Sequence, residues 1–320
     1  MVYLCIVNQR DMKTAFKNLH QLITAFSDES VCKDYMAQLR WGGKPCCPYC
    51  ANEKIYNIEN NKRYKCATCK KKFSVTVGTI MEDSNIPLSK WFTALYLCTS
   101  HKKGISSHQL AKDIGVTQKS AWHMIHRIRE MARMKNPTVL TGTVQADESF
   151  FGGKNKNRHE HKKVKDSQGR SVKDKTPVFG LLSDGKVNLE VVTDTKAVTL
   201  KPIIEAMVEK GAILVTDEWG AYNGLNKDYQ HEVIKHNEGN YVTDNGFSTN
   251  SLEGFWSLFK RGIFGIYHKV SPKHLNRYCD EFAFRYNTRT MGEVERFDMA
   301  LTRLETTLSY KELTQQINNG

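Results

Sequence analysis

The sequence predicts an α/β protein in which a mixed β-sheet domain follows a small cysteine-paired ribbon and a helix-turn-helix pair. Three observations predict this. Two CxxC pairs, Cys47 with Cys50 and Cys66 with Cys69, lie close together near the start. From Ser106 to Met131 apolar residues recur at helical spacing on either side of Gly115. Beyond Asn136 and Pro137 the pattern becomes strand, strand, strand, helix, strand, which is a mixed α/β layer arrangement.

At 320 residues the chain has room for two or three domains, and its 40% hydrophobic content is ordinary for a globular protein. Lys and Arg number 47 against 34 Asp and Glu, a formal charge of +13 that favours a polyanionic partner. Nucleic acid is the first candidate and an anionic membrane surface the second. No stretch reaches the roughly 20 apolar residues of a membrane span, and the VYLCIV run is too short for a signal-peptide core. A cytoplasmic protein with no membrane partner is expected. The expected divisions are a helical segment over 1–40, a ribbon over 41–76, a helix-turn-helix region over 77–136, a sheet domain over 137–290 and a helical tail over 291–320.

In chain order, Met12 opens a helical repeat with Phe16, Leu19, Ile23 and Phe26 on one face, and residues 1–11 match no pattern, so Met12 is a candidate start. A second helix over 29–39 would turn Val31, Tyr35 and Leu39 inward before Trp41, Gly42 and Gly43 break it. The two cysteine pairs follow. Their spacing suits two tight knuckles holding tetrahedral Zn²⁺, and Cys47 is favoured over Cys46 because its interval to Cys50 repeats that of Cys66 to Cys69. Ala51 occupies the place after the first pair, where glycine often relieves a left-handed turn.

A helix is expected from Leu88 to Ser100, then a helical pair. Ser106 with Gln109 reads as a capping box, Gly115 as the turn, and Thr117 as the cap of a second helix with Ala121, Ile125 and Ile128 inward. Gln118, Lys119, His123, His126, Arg127 and Arg129 then fall outward. They suit a DNA groove, although an ordinary hairpin with a solvated basic face gives the same pattern. Between the first two strands of the sheet domain, residues 154–175 form a basic loop, either a solvated insertion or an arm in which Lys154, Lys156 and Arg158 touch phosphates. His159 and His161 in that loop carry no metal role.

The chemistry converges at strand ends. Asp147 lies in QADESFF, and Asp217 closes the buried run ILVTD. Because strand neighbours point to opposite faces, only one of Asp147 and Glu148 serves; Asp147 is preferred for its shared parity with Gln145, leaving Glu148 to face solvent or cap a neighbour. The stretch from Thr249 to Gly262 is a helix whose polar face carries Asn250, Glu253 and Lys260. Two or three oxygen ligands at the tips of adjacent elements suit Mg²⁺ or Mn²⁺, the donor set for in-line attack on a phosphodiester. Asp217 and Asn250 also have plainer readings as helix caps. Lys260 returns to the face of Glu253, where it would hold a DNA phosphate beside Arg261.

The runs QADESFFGG, VTDEWGAY, STNSLEGFWSLFKRGIFGIYHKVSPKHLNRY and EFAFRYNTR, in that order after CPYC and CATC, resemble the bacterial insertion-sequence transposases related to the eukaryotic Merlin elements. The likeness runs from Met12 to Arg289. It implies an RNase H-like catalytic domain, divalent-metal dependence, binding to the terminal inverted repeats of the element and to target DNA, and cleavage followed by strand transfer. Asp147 and Asp217 match the two aspartates of that family. Its third residue is Glu in some members and Asn in others, followed by a lysine at the place of Lys260, so Asn250 and Glu253 both stand. Two ends cut in concert imply a homodimer or higher oligomer on DNA. His268, Lys269, Lys273, His274, Arg277 and Arg285 are expected along the DNA path. A domesticated or inactive copy acting as a DNA-binding regulator and a nuclease on the same fold are the alternatives.

Overall fold

The structure, a computed structural model, describes residues 16–58, 63–133, 139–152, 159–165, 171–234, 242–243 and 245–315. The chain divides into two compact units, Met1–Ala132 with Thr290–Gly320, and Arg133–Arg289.

The first unit opens with two helices, α1 (Leu19–Ala25) and α2 (Glu29–Trp41), capped by Asn18 and Asp28. Phe16 and Phe26 are buried as expected, whereas within the helices Leu22, Cys32 and Met36 are buried and the expected Ile23 and Val31 are exposed. A three-stranded antiparallel sheet follows, β1 (Ile55–Ile58), β2 (Arg63–Cys66) and β3 (Lys72–Phe73). Trp41, Tyr64 and Phe73 pack beneath it, with Tyr64 and Phe73 stacked at 5.5 Å. Helix α3 (Leu88–Ser100) is as expected, and α4 (Ser107–Ile114) and α5 (Gln118–Ala132) form the helix-turn-helix pair about Gly115 at φ +62°. Ser106 accepts from the Gln109 backbone, but the Gln109 side chain donates to Asp113 at 2.6 Å, so the reciprocal half of the capping box is absent. Thr117 Oγ1 accepts from Ser120 N at 3.1 Å and caps α5.

The second unit is a five-stranded sheet of β4 (Thr143–Phe151), β5 (Thr176–Ser183), β6 (Lys186–Val191), β7 (Ile213–Asp217) and β8 (Gln230–Ile234), in the order β6-β5-β4-β7-β8. The first three strands pair antiparallel, while β7 joins β4 and β8 joins β7 in parallel. This is the RNase H-like arrangement. Helix α6 (Ala197–Met207) covers one face over Val144, Ala146, Phe179, Leu181 and Leu214. Helices α7 (Asn250–Gly262) and α8 (Leu275–Asn287) cover the other over Phe151, Val178, Leu182 and Val187. Strand β8 was not expected: its sequence QHEVI carries too little apolar alternation to announce a strand. At the sheet edge Asn287 bonds both backbone groups of Val187, at 2.7 and 2.9 Å, and ties the end of α8 to β6.

The tail returns to the first unit. Helix α9 (Glu293–Thr302) inserts Phe297 among Phe16, Phe26, Phe92 and Tyr96, and α10 (Tyr310–Thr314) closes with a complete capping box of Ser309 and Glu312. Residues expected to form a separate helical tail thus complete the core of the unit that precedes the sheet domain.

Candidate active site

Strand β4 presents Gln145 and Asp147 to the α7 side and Glu148 to the α6 side, as alternation requires. Glu148 is buried there and accepts from Tyr222 Oη at 2.5 Å. It does not face solvent. Gln145 lies opposite Val215 across the parallel β4–β7 pair. The pairing stops there; Asp147 and Asp217 stand two residues further along each strand, near enough that the charge of Asp217 acts on the Asp147 carboxyl. Asp217 ends β7 half-buried, and its Oδ1 accepts from Trp219 N at 3.0 Å.

Helix α7 is drawn onto this place by two features. Gln145 Oε1 accepts from Leu252 N at 2.9 Å, satisfying one of the first-turn amides that have no partner within a helix. Opposite Asp147 in β5 lies Gly180; a Cβ there would stand 2.6 Å from Trp256 Cζ2 and 3.3 Å from Leu252 Cδ1. Bare backbone lets the indole settle against the strand. Glu253 Oε1 accepts from Thr249 Oγ1 at 3.0 Å, and its charge reaches Asp147. Asn250 is the exposed first residue of α7, with Thr249 at the cap position, so the cap reading of Asn250 fails.

Burial pushes the Asp147 carboxyl up to about 6. The Glu148 backbone amide opposes that rise, the charges of Asp217 and Glu253 add to it, and the Trp256 indole opposes it weakly. The charges of two further carboxylates, Asp217 and Glu253, thus reach Asp147. Their oxygens are not gathered as tightly as the ribbon thiols: among the described residues, the group whose ligand atoms converge within 4.8 Å is Cys47, Cys50, Cys66 and Cys69. Lys260 and Arg261 are exposed in the last turn of α7, with Lys260 two turns along from Glu253.

The ribbon cysteines interlock in pairs. Cys47 and Cys69 sulfurs are 3.6 Å apart and those of Cys50 and Cys66 are 3.5 Å apart. Cys66 Sγ accepts from the backbone amides of Thr68 and Cys69, the bonds that favour a thiolate in a metal knuckle. Four sulfurs in a closed set suit structural Zn²⁺. Cys46 stands outside it. The residue after each knuckle is left-handed, Ala51 at φ +56° and Lys70 at φ +59°, though neither is glycine.

The outward reading of α5 needs correction. His126, Arg127 and Arg129 are buried. Arg127 donates to the carbonyls of Leu308, Ile80 and Glu82 at 2.8, 3.0 and 2.7 Å, so it braces the unit and faces no groove. His123 bonds the Leu308 carbonyl at 3.1 Å and meets the Tyr310 ring, whose face is also covered by Lys119 at 4.7 Å. Gln118 is exposed and donates to Ser107 at 2.8 Å. The covering residues come from the far end of the chain, which no local pattern reveals. Arg285, expected along a DNA path, is likewise buried, 2.5 Å from Glu281, which also accepts from Tyr267. Lys154, Lys156 and Arg158 lie outside the described residues.

Sequence reasoning passed over Trp219. Its indole donates to Thr195 O at 2.9 Å while the residue remains 38% exposed beside Asp217. Gly180, Gln145 and Trp256 were also missed as positioning residues; a lone glycine inside the apolar run VFGLL was the available signal.

Residues 139–287 match the family model of the ISXO2-like transposase domain, and residues 27–72 match that of the transposase zinc-ribbon domain. A protein in the transposable element ISH50 of Halobacterium salinarum is 27% identical over 277 residues, covering 82% of this chain and 92% of its own length. A transposase-like protein of Haemophilus influenzae is 28% identical over 103 residues, 32% of this chain and 81% of its own. Among solved structures, a pre-cleavage Mos1 transpososome aligns at 13% identity and a TM-score of 0.19, over 64% of this chain and 75% of that one. A Mos1 paired-end complex aligns at 14% identity and a TM-score of 0.20, over 70% and 82%. No helix among the described residues is long and apolar enough to cross a membrane.

Proposed function

We propose that this chain, an insertion-sequence transposase by its ISXO2-like domain and transposase zinc ribbon, binds the inverted repeats of its element and cuts and joins DNA strands at Asp147, Asp217 and Glu253. The observation that supports the reading is that Asp147 and Asp217 lie on neighbouring strands, two residues beyond the Gln145–Val215 pair, with the charges of Asp217 and Glu253 both reaching Asp147. The donor set fits Mg²⁺ or Mn²⁺: three hard oxygen donors crowd their negative charge, and a divalent cation relieves it. Such ions, when bound, activate the attacking oxygen and stabilise the leaving one.

The chain's own residues do the rest. Glu253 serves as third ligand in preference to Asn250, because a charged oxygen is the better donor and the Glu253 charge already reaches Asp147. Gln145 and Gly180 hold α7 against the sheet so that this carboxylate stays in place. Lys260 and Arg261 lie on the last turn of the same helix, where they hold phosphates of the incoming strand. Zn²⁺ at the four cysteines is structural. Two ends cut together require a homodimer or larger assembly on DNA.

The test is cleavage of a plasmid carrying the element ends, with Mn²⁺. Asp217→Ala and Glu253→Gln are expected to lose activity by at least about a hundredfold, with end binding retained and Asn250→Ala close to wild type. Identical products from wild type and Asp217→Ala would refute the metal site, and a large loss from Asn250→Ala with Glu253→Gln active would move the third ligand to Asn250.

A further inference from the structure

We propose that the solvent face of the ribbon sheet is a contact surface for the phosphate backbone of duplex DNA. The inference rests on the transposase reading above and names a surface within it. The sheet has two unlike faces. In the pairing Tyr56 opposite Lys65 and Ile58 opposite Arg63, with Lys65 then opposite Lys72, directly opposed residues share a side. Tyr56, Ile58, Arg63, Lys65 and Lys72 therefore form one face. Tyr64, Cys66 and Phe73 take the other, where all three are buried over Trp41 and toward the metal knuckles.

On the outer face Tyr56 is 61% exposed, Arg63 and Lys72 are exposed, and Lys65 is half-buried. Among these five residues there are three cations and no carboxylate. Tyr56, Lys65 and Lys72 make a row across three strands, about 10 Å long at strand spacing, and Ile58 and Arg63 make a second row about 7 Å along the strands. A ribbon that needed this face only for solubility would mix both signs of charge. A surface of one sign with Lys65 at its centre and an exposed phenol on the β1 edge instead matches a strand of phosphates, which cations neutralise and a hydroxyl can donate to. Backbone phosphates carry no sequence information, so a contact made through them positions the duplex and has no sequence preference of its own.

The experiment measures binding of the full chain to a duplex of the element end and to a scrambled duplex across a range of salt concentrations. Three substitutions are made together, Arg63→Gln, Lys65→Gln and Lys72→Gln, and zinc per chain is measured to show that the ribbon remains intact. The expected result is weaker binding to both duplexes by the same factor, with the slope of log affinity against log salt shallower by about 2 to 3. An unchanged slope would overturn the proposal, as would a loss confined to the element end. If zinc is lost, Tyr56→Ser with Lys72→Gln, both at exposed positions, takes its place, with a slope change of about 1 expected and none refuting. Failure of wild type to bind or cut its element ends would overturn the transposase reading itself, a result separate from the slope.

Discussion

At Gly180 a hydrogen atom decides how close a helix can come. Across the β4–β5 pair from Asp147, it leaves room for Trp256, and any side chain would meet the indole at 2.6 Å. Gly180→Ala is expected to destabilise the sheet unit by about 1–3 kcal/mol through overpacking. It should also reduce DNA cleavage more than end binding, because α7 carries Glu253. Urea unfolding and cleavage rates of Gly180→Ala, and of Gly180→Ala with Trp256→Phe, check this: the smaller ring should return part of the stability, and no recovery would count against the contact. Sequence showed the carboxylates but not this support, since a glycine in a strand announces a close approach without saying what approaches.

Among the elements, the ribbon was the most legible, because its ligands are set by short spacing within two knuckles. Its departure from pattern has a structural counterpart. Ala51 and Lys70 both sit in left-handed backbone, at φ +56° and +59°, and each bears a Cβ where glycine would be free of strain. Ala51→Gly is expected to strengthen the metal-bound ribbon by up to about 1 kcal/mol, a several-fold slower loss of zinc to a chelator. A faster loss would show that the turn is not strained. Helix α5 was legible as an element but not as a surface. Its polar residues His126, Arg127 and Arg129 looked outward only because periodicity separates two faces and cannot report that both are covered.

For the whole molecule, the unit holding the ribbon and helix pair is closed by residues from the other end of the chain. Leu304 and Leu308 are buried in it, Ile80 N donates to Leu304 O at 3.0 Å, and Arg127 relies on Leu308 O. Ending the chain at Arg303 would open that core and leave a buried guanidinium short of an acceptor. We expect a loss of about 3–5 kcal/mol in that unit, with zinc retention and DNA binding impaired. Truncated protein that melts and binds like full length would show that the tail is dispensable.

The sequence by itself determined the cysteine set, the helix pair about Gly115, the change to strands after Pro137, and Asp217 at the end of its strand. Each is written in local spacing, turn chemistry or alternation, which act over a few residues. Asp147, expected at a strand end, lies in the middle of β4 because pairing with β5 carries that strand on to Phe151. Only the tertiary structure decided that the charge of Glu253 reaches Asp147, that Arg127 and Arg285 are buried, that β8 extends the sheet, and that the tail belongs with the first unit. These depend on partners tens or hundreds of residues away, and a periodic pattern says which side of an element is apolar without saying what comes to cover the rest.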